Sequence, residues 1–328
     1  MKLNTLAESI SALGAPSVGI AGEARCVITS ADGTVRLDTG YQQNLILNQG
    51  LDFFGGGKGY DINASCAIGS GNSTPVATQT KLDAFIAIAG GTNTTSDYSY
   101  VDDGSGLYKM REQKQYRFTT TIDHNISELG LVSQGGASDY YLTTRVLPKD
   151  SLGAPTSLGW KAGETLDIYY KIHKVVDTTD KSYAINVLDG DGGVVPYNAV
   201  IRPFAVGKWS NLSAGLDVSI RTSTSTDGLF PTTSETAYGE GYQNAERISY
   251  LGLYTNGAYK KQLTISVDLN QLNGDIRKVS SGYQDSFLFY PFQMRLGRVS
   301  DDAPLTKTNK DMLTIPLEFS WSRYEGEL

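Results

Sequence analysis

The chain has 328 residues, of which 36 are Gly and 20 are Tyr, against 10 Phe and 3 Trp. Gly stands well above its ~7% average and Tyr suits half-wet strands, so the composition leans to β structure, while 40% apolar residues is too many for a disordered chain. With 28 basic and 35 acidic residues the net charge is −7; this argues against the basic stripe that phosphate backbones need, and direct nucleic-acid binding is not expected.

Residues 3–13 place Leu3, Leu6, Ala7, Ile10 and Leu13 on one helical stripe, and Gly14-Ala15-Pro16 stops it. A helix this short is marginal alone and must dock. It is expected to dock on its own domain or, as an arm over residues 1–22, on a neighbouring subunit through Leu3, Leu6, Ile10 and Leu13. No continuous apolar core of a secretory signal is visible, and no stretch reaches the ~18 apolar residues of a membrane span.

From Ala24 the pattern is β. Residues 24–30 and 34–38 read as strands about an Asp32-Gly33 turn. Residues 41–54 carry an apolar burst, a short helix or a buried strand, and 55–59 break it. Residues 64–68 read as a buried strand, 69–75 as a loop, and 77–88 as a short helix. The Gly-rich loop lacks the Lys-Ser/Thr ending of a P-loop, so no phosphate site is assigned. Residues 90–109 have no core periodicity and read as an exposed loop or a long hairpin tip. Strands follow at 115–122, 125–132 and 139–147. In the long strand 164–176, Leu166, Ile168, Tyr170 and Ile172 share one face.

The polar break 177–182 divides a β domain over 23–176 from a second β-rich domain over 177–328. Further strands are predicted at 183–188, 194–201, 215–221, 247–254, 260–269, 284–296 and 311–324, with 222–245 as a loop and Asn256-Gly257 as a hairpin turn. No repeat of 20–50 residues appears. The expected fold is all-β: sandwich or barrel-like domains with long loops and one or two short helices.

No catalytic kit is visible. His124 and His173 lack partner histidines and there is no Cys-x-x-Cys, which excludes an ordinary zinc site. Both histidines are expected to face solvent, and Cys26 and Cys66 read as small core residues rather than a disulfide framework. No G-x-S-x-G elbow occurs. Residues 189–193 (DGDGG) open like a calcium loop but Val200 replaces its closing Glu, leaving a turn. The aromatic run Tyr283, Phe287, Phe289, Tyr290 and Phe292 reads as a core face before a sugar platform. Catalytic, cofactor and metal residues are therefore not assigned. The long loops 90–109 and 222–245, rich in Tyr, Ser, Thr and Gly, suit adaptable contact surfaces. Tyr98, Tyr100 and Tyr108 in the first, with Phe230 and Tyr238 in the second, are the expected anchors, ordered only on a partner. Glu128 and Arg145 read either as both simply facing solvent or as an exposed ion pair, which is worth only ~0–1 kcal/mol.

Three stretches occur in a distinctive order: GTVRLDTGYQQNLILNQGLDFF (33–54), AIGSGNSTPVATQTKLDAFI (67–86) and NISELGLVSQGGASDYYLTTRVLP (125–148), closed by LTIPLEFSWSR (313–323). This succession resembles structural proteins of tailed bacteriophages, of the tail, baseplate or fibre-associated kind. The resemblance covers about half of the chain. It implies a virion component assembled in the host cytoplasm, homo-oligomeric, without cofactor or catalysis, whose partners are copies of itself and other virion proteins. It leaves capsid-decoration and head–tail collar roles open. The rival class is a tail protein that binds or depolymerises a host surface glycan.

Overall fold

The computed structural model describes residues 4–5, 12–14, 17–55, 62–101, 104–133, 139–188, 192–203, 220–223, 229, 242–244, 249–251, 253–281 and 292–328. The strands are β1 (Asn4–Thr5), β2 (Leu13–Gly14), β3 (Val18–Thr29), β4 (Val35–Asp38), β5 (Gln42–Gln43) and β6 (Leu45–Ile46), followed by helix α1 (Asn48–Gly55). Next come β7 (Ser65–Gly69), β8 (Phe85–Val101), β9 (Leu107–Thr119), β10 (His124–Ile126), β11 (Glu128–Ser133), β12 (Tyr141–Leu142), β13 (Thr144–Arg145), β14 (Leu158–Trp160) and β15 (Thr165–Asp177). The remainder are β16 (Lys181–Leu188), β17 (Val194–Pro203), β18 (Ile220–Ser223), β19 (Tyr242–Asn244), β20 (Ser249–Leu251), β21 (Lys260–Val267), β22 (Gly274–Ile276), β23 (Lys278–Ser281), β24 (Phe292–Arg298), β25 (Leu305–Lys307) and β26 (Asp311–Arg323). The fold is all-β. Two compact units emerge, each discontinuous in sequence: one holds Met1–Val18, Val101–Tyr108 and Val176–Ser320, the other Gly19–Tyr100, Lys109–Val175 and Trp321–Leu328.

In the unit built around Gly19–Tyr100 and Lys109–Val175, the main strand order is β12-β11-β7-β8-β9-β15-β3, with β4 and β5 also on β3. Strand period decides the faces. Leu166, Ile168, Tyr170 and Ile172 of β15 are all buried, as are Tyr116 and Phe118 of β9 and Ala24, Cys26 and Ile28 of β3. A second cluster holds Leu47, Ala67, Leu82, Val132, Tyr140 and Leu142. Cys26 and Cys66 are buried free thiols; burial pushes Cys26 up to about 12 and raises Cys66 as well. At the β3–β4 turn Gly33 takes φ +88°, and the Thr34 N–H donates to Asp32 Oδ1 at 2.9 Å.

Residues 77–88 do not form the expected helix. They run through turns into β8 at Phe85. The reason is in the backbone: Leu82 N–H donates to the Tyr140 hydroxyl at 3.1 Å, and Asp83 and Ala84 N–H donate to Glu128. Tertiary acceptors take the amides that a helix would use. The helix forms instead at Asn48–Gly55, burying Leu51 and Phe54 and ending at Gly55. Of the two readings of residues 90–109, an exposed loop or a long hairpin tip, the structure takes the second: β8 continues to Val101 and β9 begins at Leu107 beside it.

Gly130 fits β11 for a steric reason. A Cβ there would lie 2.0 Å from the Thr144 carbonyl oxygen of the neighbouring β13 segment. Gly130→Ala is therefore expected to cost about 1–3 kcal/mol, read as a lower urea midpoint against the parent chain.

The unit built around Val176–Ser320 contains a six-stranded sheet of order β16-β17-β24-β23-β18-β19, antiparallel at all five strand pairs. A second layer carries β20, β21 and β26, with Leu313, Ile315, Leu317 and Phe319 buried at alternate positions of β26. Phe292 of β24 is buried with its ring 5.9 Å from that of Phe319, a core role; Tyr283, Phe287, Phe289 and Tyr290 lie outside the described residues. Lys307 on β25 is also buried, its ammonium donating to the carbonyl oxygens of Asp268 (2.7 Å) and Gln271 (2.8 Å) and to Asn273 Oδ1 (3.0 Å).

Of the helix expected over 3–13, Leu3 and residues 6–11 lie outside the described residues. Asn4–Thr5 and Leu13–Gly14 are strand segments running parallel to β26, with Asn4 opposite Asp311 and Leu13 opposite Leu317, so neither end of that segment is helical.

Candidate functional site

The resemblance motifs meet in space. Glu128 begins β11 and Arg145 ends β13, and both side chains are fully buried. Glu128 Oε1 accepts the N–H of Gly71 (3.0 Å) and Ala84 (2.8 Å); Oε2 accepts the N–H of Asp83 (3.1 Å), Arg145 Nε (3.1 Å) and Arg145 Nη2 (2.7 Å). Arg145 also reaches Asp83 Oδ2 (2.8 Å) and Ser73 Oγ (3.1 Å). The Ser73 hydrogen bond, with Arg145 assisting, holds the Asp83 carboxyl below the usual range. The loop 69–84 is thus wrapped on one carboxylate. The Glu128–Arg145 pair is not the exposed contact expected from sequence. A carboxylate with five donors on two oxygens is an organising centre for the segments around it.

The closing segment joins the same region. The Trp321 indole N–H donates to the Leu51 carbonyl at 2.9 Å, and Arg323 donates to the Ile46 carbonyl and to Asn48 Oδ1. Leu45 of β6 pairs with Arg145 of β13.

A polar face forms on the opposite side of β3, β9 and β15. His173 is buried there rather than solvent-facing, with Nε2 2.9 Å from Glu23 Oε2. That hydrogen bond, helped by Lys171, holds the Glu23 carboxyl below its ordinary range against the opposing effect of burial. The Lys171 ammonium lies 3.4 Å from the centre of the Tyr41 ring, and the Arg25 guanidinium lies 5.8 Å from the rings of both Tyr41 and Tyr169. Tyr41 donates to Gln113 Oε1, while Asp167 accepts from Gln115 and twice from Arg117. Carboxylate and imidazole together are two parts of a base-activated nucleophile. Among the described residues no Ser, Thr or Cys side chain hydrogen-bonds to His173. His124 is half-buried with its ring stacked 5.5 Å from Trp160, again not simply solvated.

The other unit has an open cleft of about 520 Å3. Val187, Val195 and Tyr197 form one wall, Pro304 and Leu305 another, and Asp275, Arg298 and Lys310 add charge of both signs. Asp275 accepts the Thr306 hydroxyl and Arg298 is paired with Asp301. Its polar groups are largely engaged with one another.

Of the predicted contact residues, only Leu13 and Tyr108 have described side chains. Leu3, Leu6, Ile10, Phe230 and Tyr238 lie outside the described residues. Leu13 is buried within its own unit, where β2 pairs with β26, so it is no free anchor for a neighbour. Tyr98 and Tyr100 belong to β8, with side chains outside the described set. Tyr108 is buried in β9 of the same chain and is not an anchor awaiting a partner. Sequence reading missed Tyr41 and Lys171, whose cation–π contact joins distant segments without any local signal. Among the described residues no group of three or more His, Cys, Asp or Glu is placed to hold a metal ion, and no helix is long and apolar enough to cross a membrane.

No protein-family model, curated protein or solved structure matches the chain.

Proposed function

We propose that this chain is a non-enzymatic structural subunit of a tailed-bacteriophage virion, placed in the tail, baseplate or fibre-attachment region and acting through subunit contacts. One observation carries the reading. The separated stretches that resemble such proteins converge on the Glu128–Arg145 centre and on α1, where loop 69–84, β6, β11, β13 and the closing Trp321–Arg323 segment are hydrogen-bonded together. That these ordered segments of the chain form one physical module supports reading them as a single building part. The all-β architecture and the long β8–β9 pair suit a protein that works by presenting strands and surfaces.

The test is to locate the chain in purified particles of the phage that encodes it, by mass spectrometry followed by an electron-microscopy map. Density at symmetric tail positions is the expected result. A chain abundant in infected cells but absent from particles overturns the reading. Density on the head moves it to capsid decoration or the collar.

A further inference from the structure

Strand β16 ends the six-stranded sheet. Its inner side pairs with β17 over its whole length, from Lys181 opposite Ile201 to Leu188 opposite Val194. Among the described residues no strand pairs with its outer side. Eight residues therefore present a row of backbone donors and acceptors. Other terminal strands of the described sheets are blunted by brevity: β19 and β20 have three residues each and β12 has two. β16 has no such protection. It contains no Pro, no bulge interrupts its register with β17, and its one charge, Lys181, sits at its first residue.

The side chains of β16 say what fits this edge. Ser182, Ala184 and Asn186 are exposed on one face, while Tyr183, Ile185 and Val187 are half-buried or buried on the other. A two-fold axis perpendicular to the sheet through Ala184 sets each residue opposite its mirror position. Ser182 then faces Asn186 of the second copy, a hydrogen-bonding pair, and Tyr183 faces Ile185, an aromatic–aliphatic pair. Ala184 meets its own copy, Lys181 lies opposite Val187, and no like charges meet. An edge that complements itself in this way is the isologous half of a closed dimer. We propose that β16 pairs antiparallel with β16 of a second copy of this chain, centred on Ala184, so that two six-stranded sheets become one. The inference stands on strand geometry and does not depend on the virion reading.

The test uses charge at the two exposed positions, which face away from the buried side of the sheet. In S182K/N186K the lysines of the two copies oppose each other; in S182D/N186D the aspartates do. Light scattering on the full chain is expected to show a dimer for the parent, at least tenfold weaker association for each variant alone, and a restored dimer when the two variants are mixed. Circular dichroism melts confirm that both variants are folded. A parent chain that stays monomeric at hundred-micromolar concentration overturns the proposal, whether the edge is idle or serves a different protein. So does a lysine variant that associates as the parent does, or a mixture of folded variants that fails to recombine.

Discussion

Arg145→Met is expected to lower stability by about 3–5 kcal/mol, because it leaves the Glu128 carboxylate buried without its counter-charge. For a unit of this size that is a fall in melting temperature of roughly 6–20 °C. Three backbone N–H groups still face the carboxylate, from Gly71, Asp83 and Ala84, and they soften but do not replace a guanidinium. Glu128→Gln is expected to be costly for a different reason. Its amide NH2 turns a donor toward groups that already donate, so one of the two acceptor oxygens that serve loop 69–84 and Arg145 is lost. The double variant should cost less than the sum of the two, since neither leaves the other's charge stranded. Urea titration of the four chains closes the cycle. A loss below 1 kcal/mol for Arg145→Met contradicts the organising role given to this centre.

Lys174→Met is expected to raise stability. Lys174 continues the inward series of β15 after Tyr170 and Ile172, and burial pushes its ammonium down to about 7. In the unfolded chain it titrates near 10.4. Between those values the unfolded state holds a proton that the folded state lacks, so this residue's contribution to stability falls as pH drops from about 10.4 to about 7 and is level below. Methionine removes that penalty together with the interaction Lys174 makes in the folded chain, which offsets part of the gain. The gain over the parent chain should reach about 4–5 kcal/mol at most near pH 6–7 and shrink toward zero by about pH 10.5. Cys26, Cys66 and Tyr170 titrate at high pH in both chains and cancel in the difference. A gain that does not change between pH 7 and pH 10 contradicts the assignment.

Lys174 also shows where sequence reasoning stops. The alternation Leu166, Ile168, Tyr170, Ile172 was legible because strand period is a local property, and the same period extended by one step reaches Lys174. The all-β class was legible for the same reason. The segment 77–88 was not, since its helical spacing is overruled by Glu128 and Tyr140, acceptors about 45 and 58 residues away. The two ends of segment 3–13 were not legible either: the ladder of β26 that receives Asn4–Thr5 and Leu13–Gly14 lies at the far end of the sequence. His173 looked solvent-facing from its place on the polar face of β15, but Glu23 of β3 hydrogen-bonds to it, and Tyr41, between β4 and β5, packs on the neighbouring Lys171. Long-range partners decide each of these, and no window of residues contains them.

The hydrogen bond from Trp321 to Leu51 spans 270 residues of sequence. A ribosome adding about 5–20 residues per second makes the carbonyl roughly 15–50 s before it makes the indole. For that interval the face of α1 that Trp321 completes has no lid, and the carbonyls that Arg323 will engage are open to water. The growing chain must therefore shelter an unfinished unit while nearly all of its companion is synthesised. Its most exposed moment in the cell comes before release, not after, and a slow codon late in the message lengthens that exposure without changing a single contact of the finished protein.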